Sequence, residues 1–203
     1  SFAQLLRTTD RQGGYVYAQD LCVHLREALS LPKTVSGAAD TQQRTWDEPR
    51  VYDCSDVEPL VAECFLAAGV LLVCKVGGEA RCLLQKEART GRKGERTLNL
   101  LGGKREAGEA SMYTAAREFY EESGGTAVYG RDVTEDLVEA FSSQADKRLV
   151  WVSSGRYALW VVPVPTPDTL QLLDLPHRFA QLDVSDRPEI ARTQSLHWET
   201  LES

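Results

Sequence analysis

Three glutamates, Glu118, Glu121 and Glu122, stand at i, i+3 and i+4 within the run Arg117-Glu-Phe-Tyr-Glu-Glu-Ser-Gly124. Helical spacing puts all three carboxylates on one face. Like charges so spaced repel by roughly 0.2–0.5 kcal/mol per pair. They also occupy the last turn, where the helix dipole is already negative. A face serving only solubility would sooner carry Lys or Arg there, and Arg117, four residues before Glu121, is the local relief. The arrangement makes sense if divalent cations sit against it. Oxygen-only ligands point to Mg²⁺ or Mn²⁺ rather than zinc.

Upstream lies Gly103-Lys-Arg-Glu-Ala-Gly-Glu109, preceded by Gly102. A Gly102-Gly103 turn would let backbone approach closely, leaving its carbonyls to ligate a metal or brace the acids. The other face of the helix carries Met112, Ala115, Ala116 and Phe119 and reads as core packing against a sheet.

These residues resemble the box of the Nudix hydrolases, G-x5-E-x7-R-E-U-x-E-E-x-G-U with U a bulky apolar residue. Gly103, Glu109, Arg117, Glu118, Glu121, Glu122 and Gly124 meet the fixed positions, and Phe119 meets the first U. At roughly 7% usage per residue, a chance match at one register is about 10⁻⁸, so accident is a poor explanation. One position departs: the final U is Gly125. It normally packs the loop after the helix, so the departure bears on loop geometry more than on metal binding.

The resemblance implies an α/β/α sandwich that cleaves a pyrophosphate bond with Mg²⁺ or Mn²⁺ and water. Glu118, Glu121 and Glu122 would be metal ligands, helped by the Gly102 carbonyl. Arg117 would orient them, and Glu109 would support loop and helix through Arg117 or a metal-held water. The metals would neutralise the diphosphate and activate the attacking water. The family often draws a further acid, as base or ligand, from a loop before the last strand. Glu189 is the first choice here, with Asp183 and Asp186 behind it.

Charge points toward the substrate. Residues 86–105 hold Lys86, Arg89, Arg92, Lys93, Arg96, Lys104 and Arg105 against Glu87 and Glu95, a local +5 in a chain of net charge −7. A uniformly acidic surface would repel anions, so an anionic ligand needs such a patch. In the Nudix fold this connection can border the mouth of the site. There Arg89, Arg92, Lys93, Arg96, Lys104 and Arg105 would bind phosphates outside the cleaved bond. A solvated charged loop is the plainer alternative. Dinucleoside polyphosphates or diphosphoinositol polyphosphates suit the patch best. ADP-ribose needs less charge but stays in the set.

The elements that must position these groups follow from pattern. A helix over about 16–29 is marked by Leu21, Leu25, Ala28 and Leu29, and a polar, turn-rich stretch covers 33–60. From residue 62 strands are predicted at 62–76 and 80–86 around Gly77-Gly78, then Thr97–Leu101, 135–142, 147–153, 156–164 and Ser195–Leu201. The strong helix spans 111–123, closed by Gly124-Gly125 as a left-handed cap, with weak helical character near 169–182. This is α/β, or α+β with a mixed sheet: an N-terminal extension over 1–60 and the Nudix domain over 61–203.

The chain has 203 residues, 42% hydrophobic and 26% charged, which suits one compact domain and argues against wholesale disorder. Its longest apolar run, Phe65 to Val73, is about half of a bilayer-spanning helix, so no membrane partner is expected. The five cysteines (22, 54, 64, 74 and 82) lack a C-x-x-C pair, and three read as small core hydrophobes. A reducing compartment fits, cytoplasmic first. A mitochondrial or other organellar setting stays open because a leader removed before Ser1 would be invisible. His24, His177 and His197 show no ligand spacing, and Trp198 reads as core rather than a base-stacking platform.

Three functions compete at this point. The first is a metal-dependent pyrophosphohydrolase for a phosphorylated small molecule. The second removes pyrophosphate or caps from RNA 5′ ends, with an RNA-binding protein partner docked on residues 1–60. The third is a non-catalytic Nudix scaffold, against which the intact acids argue.

Overall fold

The computed structural model describes residues 50–52, 64–87, 98–152, 155–164, 174–183 and 193–200. The apolar run after Phe65 becomes β2 (Ala67–Val76), which turns at Gly77-Gly78 into β3 (Glu79–Glu87). The two pair antiparallel near the turn, from Val73 with Cys82 to Val76 with Glu79. Beyond it the segment after residue 97 is shared between them. β4 (Leu98–Asn99) pairs with Gln85 and Lys86 of β3, and β5 (Leu101–Lys104) pairs with Ala67–Val70 of β2. The break at Leu100 is not left unsatisfied: its carbonyl accepts from the buried Gln85 amide at 2.9 Å.

The other edge of β2 takes β7 (Tyr157–Pro163) in parallel, followed by β6 (Arg148–Val152) and β1 (Arg50–Tyr52), both antiparallel. β8 (Thr193–Thr200) covers the far edge of β3. The result is the expected mixed sheet, in the order β1-β6-β7-β2-β3-β4. β1 lies within the stretch read as an N-terminal extension.

Helices are α1 (Ser111–Glu122), α2 (Gly125–Tyr129), α3 (Thr134–Ser142) and α4 (Leu175–Ala180). β2 is buried on both faces, which is why its sequence is nearly continuous in apolar residues instead of alternating. One face sends Ala68, Val70 and Leu72 against Met112, Ala115, Ala116 and Phe119 of α1, with Phe141 and Phe179 from α3 and α4. The other gathers Leu71, Val73, Cys82, Leu84, Val150, Leu159 and Val161, every one on a strand. Each such Leu or Phe contributes roughly 1.5–3 kcal/mol of burial.

Two expectations are corrected. Residues 135–142 form helix α3, not a strand. Asp132 Oδ1 accepts the Thr134 amide at 2.8 Å, Glu135 and Asp136 occupy the first turn, and Phe141 meets Phe119 edge-on at 5.6 Å. The helical spacing of Leu137 and Phe141 outweighs the apparent alternation. Gly102 and Gly103 are strand residues paired with Gly69 and Ala68, not a turn. The expected helix over 16–29 lies outside the described residues. No described helix is long and apolar enough to cross a membrane.

Candidate functional site

α1 begins without a side-chain cap at Ala110, but Trp160 Nε1 on β7 donates to Ser111 Oγ at 3.2 Å and fastens its start to the sheet. Its apolar stripe is buried, so the opposite face is fixed in rotation. At the other end the Ser123 amide donates to the Phe119 carbonyl at 3.0 Å. Gly124 follows at φ 111, where a side chain would be strained and would also strike Val128. Gly125, where the motif asks for a bulky apolar residue, is itself at φ 51 and starts α2. Polar contacts close this end: Ser123 Oγ shares a 2.7 Å hydrogen bond with Tyr129 Oη. Burial pushes the Tyr129 hydroxyl up to about 12, against the opposing effect of Ser123.

Arg117 is the hub of the polar face. Its Nε donates to Glu109 Oε1 at 2.7 Å, and Nη2 donates to Glu109 Oε2 at 3.2 Å and to the Lys104 carbonyl at 2.9 Å. Nη1 reaches Glu118 Oε1 at 3.0 Å and Glu121 Oε2 at 3.2 Å. Glu109 Oε2 also accepts from Thr114 Oγ1 at 2.7 Å and the Glu106 amide at 3.0 Å. Burial alone would raise the Glu109 carboxyl. The bonds from Arg117, Glu106 and Thr114, with the Arg117 charge, outweigh it and hold the group at about 2. The same Glu109 bond raises Arg117 above its ordinary value, aided by the charges of Glu118 and Glu109.

The remaining acids wrap β5. Glu122 Oε2 accepts the Gly102 amide at 2.7 Å. The Glu118 carboxylate lies over Gly103 so closely that a methyl group there would overlap it. Burial raises the Glu118 carboxyl; Arg117 opposes this, while the charges of Glu121 and Glu109 add to it. Side-chain exposure runs from 9% at Glu109 and 16% at Glu118 to 39% at Glu121, so the row opens toward solvent at its C-terminal end.

Among the described residues no three His, Cys, Asp or Glu side chains already converge as a metal cage. The donor chemistry nevertheless fits a hard cation. Mg²⁺ is held by one or two carboxylates and completed by water and phosphate oxygens. Glu118 and Glu122, braced on Gly103 and Gly102, supply such a partial set, with Glu121 one turn away on the same face.

The expected site residues are thus partly brought together. Glu109, Arg117, Glu118, Glu121, Glu122 and Gly102 form one cluster. Lys104 is exposed and contributes its carbonyl. Arg105 donates to the Glu109 carbonyl at 3.0 Å and stacks 4.4 Å from the centre of the Phe65 ring, so its guanidinium braces the loop. Arg89, Arg92, Lys93, Arg96, Glu189 and Asp186 lie outside the described residues; Asp183 is exposed after α4. His177 pairs with Gln181, His197 with Ser195, and Trp198 packs against the core. Cys64, Cys74 and Cys82 are not in disulfides, and the latter two are buried. Thr114 supports the site through Glu109, and Gln85 holds the β4–β5 break at Leu100; sequence reasoning missed both. A hydroxyl five residues after Glu109 was the available signal for Thr114; nothing local marks Gln85.

The model of the NUDIX domain matches residues 65–200. Similar solved structures include a Nudix hydrolase from M. smegmatis, RenU, 20% identical, covering 67% of this chain and 70% of that one at TM-score 0.32. A C. elegans Ap4A hydrolase binary complex is 17% identical, covering 65% of this chain and 77% of that one at TM-score 0.32. A T. brucei MERS1–RNA complex is 15% identical, covering 66% and 51% at TM-score 0.33. No curated protein matches the chain.

Proposed function

We propose that this chain, which belongs to the Nudix family, is a divalent-metal-dependent pyrophosphohydrolase that cleaves a phosphoanhydride bond in a multiply phosphorylated small molecule. One observation carries the reading: Glu118, Glu121 and Glu122 are held on one face of α1, and Arg117 neutralises them only in part. A structural surface gains nothing from that repulsion, whereas a cation site requires it.

Glu118, Glu121 and Glu122 would hold Mg²⁺ or Mn²⁺ beside Gly102. The chemistry such a cation would supply there is neutralisation of the diphosphate and activation of water. The protein's own part is placement. Arg117 steers Glu118 and Glu121 from the side, Glu109 and the Lys104 carbonyl hold Arg117, and the Gly102 amide fixes Glu122. Glu189 is the proposed additional acid, and Arg89, Arg92, Lys93 and Arg96, with Lys104, the proposed grip on distal phosphates. Dinucleoside polyphosphates and diphosphoinositol polyphosphates match that charge best.

The test is a panel of phosphoanhydrides with Mg²⁺: ADP-ribose, NADH, dinucleoside polyphosphates, diphosphoinositol polyphosphates, nucleoside triphosphates, and triphosphorylated and capped RNA. Turnover of a polyphosphorylated small molecule is expected. It should fall by on the order of 100-fold or more in Glu121→Gln/Glu122→Gln. Turnover confined to RNA would replace this reading with 5′-end processing. Silence throughout would leave a scaffold.

A further inference from the structure

β2 and β5 face each other with glycine opposite glycine, Gly69 against Gly102. Two side chains are therefore missing side by side in the middle of a sheet, and a strand glycine commonly marks the close approach of another group. Two groups make that approach, the facing backbone and Tyr157. A methyl group on Gly69 would meet the Leu101 carbonyl at 2.6 Å and one on Gly102 the Gly69 Cα at 2.5 Å, and on either it would overlap the Tyr157 hydroxyl. Tyr157 opens β7 opposite Ala67 and packs with the strand-only core, on the sheet face away from α1. Its ring thus reaches across β2 to β5.

The entry to β7 is built to aim it. Arg156 is at φ 47, a left-handed backbone that only glycine adopts freely. Two bonds hold it there: its carbonyl accepts the Leu66 amide at 2.8 Å, and its Nε donates to the Cys64 carbonyl at 2.6 Å. A left-handed residue is ordinary in the turn of a hairpin, and these two bonds fix where β7 begins.

Gly102 is also the residue whose amide holds Glu122 at 2.7 Å. The three contacts enclose β5: Glu118 over Gly103 on one face, Glu122 at the Gly102 amide, and the Tyr157 hydroxyl against Gly102 on the other face.

We propose that Tyr157 is a positioning residue of the cation site: its hydroxyl, seated against the Gly69–Gly102 pair, sets the height of β5 and thereby the pose of the Glu122 carboxylate. This rests on the reading of Glu118, Glu121 and Glu122 as cation ligands. It adds a residue outside the motif, on the opposite face of the sheet.

The experiment is Mn²⁺ titration of the full-length chain, read by the paramagnetic resonance signal of free Mn²⁺, with a melting curve for each variant. Tyr157→Phe keeps the ring and removes one oxygen. It should weaken Mn²⁺ binding by about 3–10-fold, less than the loss of a group bonded directly to a ligand costs, with a melting temperature close to the parent's. Val161→Ala, on the same strand and in the same strand-only core, should melt lower yet bind Mn²⁺ as the parent does. Parent-like affinity in Tyr157→Phe would overturn the proposal. So would an equal loss in Val161→Ala, which would reduce the effect to general loosening of the sheet. A parent that binds no better than Glu118→Gln/Glu122→Gln would overturn the cation site itself, and this inference with it.

Discussion

Glu109 and Glu118 are the same residue type, both largely buried, and both held by one guanidinium, yet their environments push them in opposite directions. Glu109 collects Arg117 twice, the Thr114 hydroxyl and the Glu106 amide, and its carboxyl is held at about 2. Glu118 receives a single contact from Arg117, and burial, joined by the charges of Glu121 and Glu109, raises its carboxyl. A carboxylate saturated with donors is finished structure. One left short of positive charge is where the proposed cation would bind. On that proposal the two ends of the polar face divide the work, one bracing the loop and the other holding the cation.

Removing the shared partner should break that contrast with the largest effect on stability. Arg117→Ala leaves three carboxylates, Glu109, Glu118 and Glu121, without their guanidinium, and chemical denaturation should show a loss of about 3–5 kcal/mol at neutral pH. A loss under about 1 kcal/mol would mean that Arg117 is a surface pair of little weight.

Glu109→Gln sharpens the contrast from the structural side, with a loss of about 2–3 kcal/mol at pH 7. The sign follows from the depressed carboxyl. Its stabilisation is complete above the ordinary value of 4.5 and disappears as pH falls through about 2. The gap between parent and variant should therefore close on acidification across that window. A gap independent of pH would show that Glu109 acts through shape alone.

Much of this was legible in the sequence because the motif is also a helix with two unlike faces. The period of Met112, Ala115, Ala116 and Phe119 marks the buried stripe and so fixes which way Glu118, Glu121 and Glu122 point. The β2–β3 hairpin was equally plain from two apolar runs around paired glycines. What was hidden depends on tertiary neighbours. Residues 135–142 read as a strand until Phe119 supplies a partner for Phe141 and Asp132 supplies the helix start. Gly102 and Gly103 read as a turn because glycine often makes turns. Here they are strand residues, short of side chains because Tyr157 and Glu118 occupy that space. Arg105 counted as phosphate-binding charge, but its guanidinium lies on Phe65. Apart from the Asp132–Thr134 bond, none of these contacts is local in sequence, so no window of residues encodes them.

The central claim is that the C-terminal end of the acidic row binds a divalent cation while the Glu109 end does not. The direct measurement is the melting temperature of the full-length chain against rising Mg²⁺ or Mn²⁺, for the parent, Glu109→Gln and Glu118→Gln/Glu122→Gln. A cation that binds only the folded protein adds about 2.7 kcal/mol at a hundred times its dissociation constant. The parent and Glu109→Gln should both rise with metal, from different starting points, and Glu118→Gln/Glu122→Gln should stay flat. A flat parent, or a double variant that rises as far as the parent, would contradict the account.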